Sequence, residues 1–187
     1  MIQLRPLSRE DMPTLQRLLA CERTAEHCWC MWFIRRVKDF HADGAVGNKT
    51  AFLALAAAST LPLGLLAMEG EDPVGWVAVG PRSRYTRAIT TPTLKATDRQ
   101  EDDMVWLIPC LFVRPDRRGQ GVTQTLLAGA VEFARTGGAR AIEGFPCAER
   151  QRSGDRQVGT AALFGRAGFA ATHHPSPNRV VMRLDLR

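Results

Sequence analysis

The chain lacks the features that mark membrane, secreted or disulfide-linked proteins. Its 187 residues contain no uninterrupted apolar run of about 18 residues, the length that a membrane-spanning helix needs. The opening, MIQLRPLSRE, has no apolar core of the kind found in secretion signals. Its five cysteines are an odd number in a long chain, which argues against a disulfide framework. We therefore expect a protein of the reducing cytoplasm.

The chain also has few aromatic side chains that could stack on bases, with four tryptophans and one tyrosine. Its 25 basic and 19 acidic residues leave a net charge of +6, but the arginines are dispersed, so a nucleic-acid partner is not favoured. A coenzyme with several phosphate charges would account for part of the excess. The apolar content of 45% and the absence of repeats predict one globular domain over residues 1–187.

The most informative stretch is an apolar strand, a basic glycine loop and an amphipathic helix, in that order. Val105–Val113 is almost entirely apolar, which is typical of a strand buried on both faces. Because proline cannot donate to a ladder, Pro109 predicts either an edge strand or a bulge. The helix after the loop presents an apolar face that includes Val122, Leu126, Ala130 and Phe133, and Gly137-Gly138 end it.

The glycine loop, Arg117–Thr123, precedes a helix start, where main-chain N–H groups are unpaired and the helix dipole is positive. With two arginines beside it, the loop is predicted to bind a phosphate or pyrophosphate. A P-loop is excluded because Gly121-Val122-Thr123 has no lysine. A dinucleotide fingerprint is excluded because its third glycine is replaced by Gln124.

This stretch resembles the GNAT acyltransferase superfamily, whose pyrophosphate loop reads Arg/Gln-x-x-Gly-x-Gly/Ala after a strand that ends in hydrophobic-x-Pro. Val113-Arg114-Pro115 closes the strand, and Arg118–Thr123 fills the loop. Thr123 departs from the usual Gly/Ala, which crowds the amide cradle slightly while offering a hydroxyl donor.

The other predicted elements complete an order that matches the superfamily from end to end. Ser8, with Asp11, is predicted to cap the first helix, and Asn48 to cap a helix through Ala58. The remaining expectations are a strand at Ile2–Arg5, a hairpin of Leu63–Met68 and Val74–Gly80, a polar loop from Pro81 to about Asp103, a strand at Arg140–Pro146, a loop at Cys147–Gln157, a helix at Thr160–Ala167 and strands around Phe169–His173 and Arg179–Leu186.

The resemblance implies an α/β (α+β), single-domain GNAT fold. Its centre would be a mixed, mostly antiparallel twisted sheet of about seven strands, with helices on both faces and a splay between the two parallel central strands. Cys28–Trp32, Gly75–Arg82 and Glu143–Pro146 together look like a bacterial subgroup to which we assign no substrate.

The resemblance also implies acetyl-CoA as co-substrate, with no metal. Its pantetheine would bond main-chain groups near Leu111 and Val113, and the thioester would lie near Pro109–Cys110. The pyrophosphate would lie on the amides of Arg118, Gly119, Gln120, Gly121, Val122 and Thr123.

For the catalytic base, the resemblance points to Glu143, at the place of a glutamate that ribosomal-protein N-acetyltransferases of the superfamily carry. Burial would raise its pKa toward neutrality, and the alternative is a glutamate paired with an arginine. The usual acid, a tyrosine, is replaced by Phe164. Tyr85 could reach the site or be a surface hydroxyl, and a thiolate can leave without an acid. Cys110 is read as inert core rather than as a nucleophile.

The segment Cys28–Phe33 is rich in sulfur and aromatic groups, but Cys-x-Cys without a second pair lacks a zinc-site spacing. The segment is therefore interpreted as a wall of either the core or an acceptor pocket. The superfamily's layout places Cys28, Trp29 and Trp32, with Arg82 and Tyr85, beside the thioester, so the resemblance implies that they wall the acceptor pocket. The function predicted is acetyl transfer to a primary amine of a small molecule or peptide, by direct transfer in a ternary complex, with a homodimer as one possible assembly. The alternative is a catalytically silent acyl-CoA-binding regulatory module.

Overall fold

A seven-stranded mixed sheet organises the computed structural model, which describes residues 1–92, 99–147 and 157–186. Its strands are β1 (Gln3–Pro6), β2 (Gly64–Glu69), β3 (Asp72–Pro81), β4 (Val105–Val113), β5 (Ala141–Gly144), β6 (Ala170–Ser176) and β7 (Arg179–Asp185). Its α-helices are α1 (Met12–Leu19), α2 (Arg23–Cys28), α3 (Val37–Ala42), α4 (Gly44–Ala58), α5 (Thr86–Thr90), α6 (Val122–Thr136) and α7 (Ala161–Arg166). Short 3-10 turns lie at Met31–Phe33, Arg82–Arg84 and Pro115–Arg117.

The strand order is β1-β2-β3-β4-β5-β7-β6, and among the described strands β4 and β5 form the one parallel pair. Their pairing runs from Val105 opposite Ala141 to Ile108 opposite Gly144. There β5 ends, whereas β4 continues to Val113. This divergence is the splay that the resemblance implied, and the mixed, mostly antiparallel sheet is confirmed.

The divergence coincides with a bulge at Pro109. On the β3 side, Ala78 pairs with Cys110 and Gly80 with Leu107, so β4 carries one residue more than β3 between these pairs. Because β4 lies in the middle of the sheet, the bulge is the correct one of the two predicted explanations for Pro109. Proline fits here because a bulge leaves a main-chain position outside the ladder.

The bulge also changes which side chains face which layer. Trp106 and Ile108 pack in the cluster that contains the apolar face of α6, and after the bulge Leu111 and Val113 do so. Cys110 and Phe112 point to the opposite layer, where α1 to α4 cover the sheet. One extra residue thus shifts the two-residue alternation of the strand.

Two predicted helix caps are wrong. Helix α1 begins after Asp11, and the amide and hydroxyl of Ser8 donate to the Asp11 carboxylate at 3.0 and 2.7 Å, so Ser8 supports the start without being the cap. Helix α4 begins at Gly44, which places Asn48 inside it. The buried Asn48 amide instead donates to the main-chain oxygens of His27 and Phe40, a tertiary role that a local pattern cannot reveal.

The polar segment after β3 is more ordered than predicted. It forms the 3-10 turn at Arg82–Arg84 and the helix α5, and it buries Arg82, Tyr85 and Ala88. Residues 93–98 of this predicted loop and residues 148–156 of the predicted loop after β5 lie outside the described residues. Within the described ranges, no helix is long and apolar enough to cross a membrane.

Gly144, the last residue of β5, lies under an aromatic ring of α7. A Cβ at this position would stand 2.4 Å from a ring carbon of Phe164, which is fully buried. The absence of a side chain on Gly144 therefore lets α7 approach the sheet beside the splay.

We predict that Gly144→Ala lowers the free energy of unfolding by about 1–3 kcal/mol, because the ring must move within a packed core. The matched control is Gly165→Ala on α7, where no described atom outside the neighbouring residues and the helix's own backbone lies within 4 Å of the added Cβ. That variant should be neutral or gain about 0.5–1 kcal/mol, since alanine favours the helix. Denaturant unfolding measures both, and equal stabilities would contradict the packing of Phe164 on Gly144.

Candidate functional site

The glycine loop between β4 and α6 forms an open cradle of amides. Gly119 and Gly121 have φ of +77° and +81°, a left-handed conformation that glycine adopts without a Cβ clash. Apart from the glycine itself and its two chain neighbours, no described atom lies within 4 Å of the Cβ position of either residue. No side chain caps the first turn of α6, which begins at Val122. The unpaired N–H groups at this helix start therefore face open space, as binding of a phosphate group requires.

The arginines around the cradle are held by carboxylates. Arg117 pairs with Glu69, and Arg118 pairs with Glu22, the residue before α2. Arg118 also donates from Nε to the main-chain oxygen of Val113 at 3.3 Å. These contacts fix the loop against β4 and α2. They also mean that an incoming anion competes with carboxylates for the arginines, while the cradle amides stay available.

A cleft of about 300 Å³ runs from the cradle along the end of β4, and we call it the strand cleft. Four residues predicted to bind the cofactor line it: Leu111, Val113, Arg118 and Thr123. Gly119, Gln120, Gly121 and Val122 form the loop and helix start beside it. Beyond Ile108 no described strand pairs with the side of β4 that faced β5, so that edge is open to a ligand.

A larger cavity of about 840 Å³ adjoins the strand cleft, and Gln157 lines both. The Gln157 amide donates to Thr24 Oγ1 on α2 at 3.4 Å, and its oxygen accepts from Cys110 Sγ at 3.8 Å. This residue therefore spans from α2 to the bulge of β4. The two cavities meet at the point where the resemblance implied a thioester.

One wall of the large cavity is aromatic. Phe40 is at its centre, with ring centroids 5.2 Å from Trp32 and 5.4 Å from both His27 and His41. Of the five residues predicted for the acceptor pocket, Cys28 and Trp32 line this cavity. Trp29 does not, because it is buried against Phe52 at 5.6 Å.

Three cysteines line the large cavity: Cys28, Cys30 and Cys110, which follows the bulge at Pro109. A hydrogen bond with the Cys30 thiol, together with burial, raises the pKa of Cys110 well above its ordinary value. Burial and the neighbouring Cys30 raise the pKa of Cys28 to about 12. Both thiols are therefore protonated near neutrality and are poor nucleophiles. Cys21, by contrast, is exposed at the end of α1.

Glu143 lies in a buried ionic network and is not among the described residues that line either cavity. Its Oε2 accepts from Arg82 at 2.8 Å and its Oε1 from Arg183 at 3.3 Å. Arg82, which is 1% exposed, also donates to Asp102 at 2.7 Å. The register explains the contact with Arg183, because β5 and β7 place the two residues directly opposite each other.

The other predicted catalytic residue, Tyr85, is also buried away from the cavity lining. It is 2% exposed and packs with Phe33, Leu107 and Phe145, so its interpretation as a surface hydroxyl is wrong. The short helix α5 folds it inward, which the polar composition of the segment did not reveal. Burial raises the pKa of this phenol above its usual value.

Several residues that line the large cavity could not be predicted from the sequence, because no local pattern marks them. The aromatic wall unites His27 of α2 with Phe40 and His41 of α3, and Arg179 reaches the cavity from the start of β7. The pairing of β7 beside β5 brings Arg179 to the splay, and only the tertiary fold shows this. Among the described residues, no group of three His, Cys, Asp or Glu side chains could hold a metal ion.

Residues 29–169 match the model of the Acetyltransferase (GNAT) family. No curated protein is significantly similar to the chain. Among solved structures, the PaiA N-acetyltransferase from Thermoplasma acidophilum in complex with coenzyme A is 17% identical, with 99% of each chain covered and a TM-score of 0.59. A GNAT family acetyltransferase from Brucella melitensis in complex with acetyl-CoA is 16% identical, with 100% of this chain and 89% of that chain covered and a TM-score of 0.53. The TM-scores show a shared fold, and at identities this low the similarity shows the fold alone.

We predict that Glu143→Gln lowers the free energy of unfolding by about 3 kcal/mol, because it leaves Arg82 and Arg183 with one buried counter-charge fewer. The matched control is Asp185→Asn, whose exposed carboxylate pairs with Arg183 at 2.8 Å. That variant should cost less than about 1 kcal/mol. Unfolding in denaturant measures both, and an unchanged Glu143→Gln stability would remove the structural role of the network.

Proposed function

Because the chain belongs to the GNAT acetyltransferase family, we propose that it is an acetyl-CoA-dependent N-acetyltransferase. It would act on a primary amine of a small molecule or peptide by direct transfer in a ternary complex. The observation that carries this proposal is that three parts of the site adjoin one another. The open amide cradle leads into the strand cleft along the unpaired edge of β4, and the strand cleft adjoins the large cavity.

The cradle and the strand cleft fit a coenzyme of this kind. The amides of Gly119 to Thr123 would hold the pyrophosphate, and the open edge of β4 at Leu111 and Val113 would accept the pantetheine. Relatives of the same fold contain coenzyme A or acetyl-CoA, which supports this assignment. When bound, acetyl-CoA supplies an acyl group at a thioester that an amine can attack.

The thiols favour direct transfer over an acetylated cysteine. Cys110 and Cys28 are protonated near neutrality, because burial and their neighbours raise the pKa of each. Both therefore lack the thiolate that nucleophilic catalysis needs. None of the five cysteines, each within the described ranges, forms a disulfide, which supports a reducing cytoplasm as the compartment.

Two residues compete for the role of base. Glu143 is the candidate from the resemblance, but two arginines engage its carboxylate, which favours a structural role. His27 lines the large cavity and carries an imidazole, the commonest general base. We therefore infer that His27, directly or through a water, removes the proton from the amine.

The alternative, a silent acyl-CoA-binding module, is kept because Phe164 replaces the usual tyrosine acid. A leaving thiolate does not require a dedicated acid, since the pKa of a thiol is about 8.5. The two functions differ in one measurable result. The silent module binds coenzyme A tightly but transfers no acetyl group to any amine of a broad panel.

We predict that Gly121→Glu weakens coenzyme A binding roughly 10- to 100-fold, because a carboxylate in the cradle repels the pyrophosphate. Gly138→Glu is the matched control, since Gly138 has φ of +80° and open space around its Cβ position but lies at the far end of α6. It adds the same charge and backbone strain without reaching the cradle. Calorimetric titration with coenzyme A compares the variants, and equal affinities would show that the cradle is not the coenzyme site.

We predict that His27→Asn lowers kcat roughly 10²-fold or more near neutral pH, the usual scale for losing a base. Glu143→Gln should keep its rate per folded molecule within a few-fold, with coenzyme A affinity unchanged. Mass spectrometry of the acetylated amine measures the rates, and intact protein mass checks that no acetyl adduct forms without an acceptor. The opposite pattern, a 10²-fold loss in Glu143→Gln alone, would restore Glu143 as the base.

A further inference from the structure

One side chain, that of Gln157, lies at the junction of the strand cleft and the large cavity. Gln157 lines both cavities, and no other residue in the described part of the chain does so. The proposed function places the coenzyme in the strand cleft and the amine in the large cavity. Because the acyl group has to pass from the first ligand to the second, its carbonyl would lie at this junction, beside Gln157.

The neighbours of Gln157 fix the orientation of its carboxamide. The Thr24 hydroxyl donates to Glu22 Oε1 at 3.1 Å, so toward Gln157 it can only accept a hydrogen bond. The Gln157 nitrogen therefore faces Thr24 Oγ1 at 3.4 Å, and the Gln157 oxygen accepts from Cys110 Sγ at 3.8 Å. A flipped carboxamide would set two acceptors against each other.

This orientation leaves one donor over. A glutamine nitrogen carries two N–H groups, and Thr24 receives one of them. The second N–H of Gln157 has no acceptor among the residues that the structure describes. A ligand carbonyl at the junction can therefore accept this N–H without breaking a hydrogen bond of the protein.

The start of α2 connects this carboxamide to the other parts of the site. The Glu22 carboxylate, which accepts from Thr24, also pairs with Arg118 at the amide cradle. Thr24 precedes His27 by three residues on α2, so the two share one face of the helix, and both line the large cavity. One short segment thus holds the carboxamide near the cradle and near the base proposed above.

We propose that Gln157 is a catalytic residue, which donates its second N–H to the thioester carbonyl of the acyl donor. As the amine nitrogen forms its bond to the carbonyl carbon, an electron pair moves onto the carbonyl oxygen, where an N–H donor stabilises the charge. When this pair returns, the C–S bond breaks and the sulfur leaves as a thiolate. The base takes the proton of the amine and passes it to the thiolate.

This inference rests on the proposed function for the transfer step, but the contact with the carbonyl can be measured without an amine. Calorimetry compares coenzyme A, acetyl-CoA and S-ethyl-CoA, a thioether with the same chain length and no carbonyl. The wild-type protein should bind acetyl-CoA about 3- to 10-fold more tightly than S-ethyl-CoA, the scale of one hydrogen bond. In Gln157→Ala and Gln157→Glu this preference should disappear, and Gln157→Ala should keep its affinity for S-ethyl-CoA.

Gln16→Glu is the matched control, since Gln16 is exposed on α1 and lines neither cavity, and it should keep the preference. With an amine present, Gln157→Ala should lower kcat roughly 10²-fold, the scale for losing one donor to the developing charge, with KM for the amine unchanged. Should Gln157→Ala not fold, Gln157→Glu decides, because it nearly keeps the shape of the side chain.

A merely structural bridge from α2 to β4 would instead weaken all three ligands equally in the variants, which overturns the proposal. Equal wild-type affinities for acetyl-CoA and S-ethyl-CoA overturn it as well. A preference that Gln157→Ala retains, together with transfer at the wild-type rate, overturns the proposal and leaves the transferase function. A preference that depends on Gln157, without transfer to any amine, supports the contact and overturns the transferase function. A wild-type protein that does not bind coenzyme A overturns both.

Discussion

The parting of β4 from β5 is the constraint on which the site depends. Two parallel strands that stayed paired would satisfy each other's main-chain groups and leave no edge for a ligand. Here the pairing stops at Ile108, where β4 bulges at Pro109 and β5 ends at Gly144. Both cavities open along this gap, and the glycine cradle lies at its far end. One proline and one short strand thus create the space that the rest of the fold encloses.

The ionic network around Arg82 maintains the other side of that gap. It ties the turn after β3 to β5 and β7, since Arg82 and Arg183 share Glu143. Buried ion pairs contribute little net stability compared with apolar packing, but losing one partner is costly because a charge is left behind. The network therefore acts as a geometric restraint. It holds β5 in register beside β4 up to the residue where the two strands separate.

The sequence predicted the scaffold well and the site unevenly, for physical reasons. The strands, the hairpin and the strand–loop–helix carry periodic or stereochemical signals within a few residues. Gly119 and Gly121 likewise indicate a loop with positive φ, because glycine adopts that conformation without a Cβ clash. Asn48, Tyr85 and Arg82 carry no such signal, because their partners are distant in the chain. Polar residues in a loop-like segment look exposed until their partners are known. The sequence did not predict Phe40 and His41 of the aromatic wall for the same reason. They belong to a short helix, and only its packing against Trp32 brings them to the cavity.

The thiols differ in exposure, so a chemical label can reach one of them selectively. Cys30, Cys110 and Cys147 are buried, Cys28 has a pKa raised to about 12, and Cys21 is exposed. An alkylating label at neutral pH would therefore attach first to Cys21. Its neighbour Glu22 holds Arg118 at the edge of the amide cradle. A fluorophore on this thiol would stand beside the coenzyme end of the site, so its emission could report occupancy there while the aromatic cavity stays unmodified.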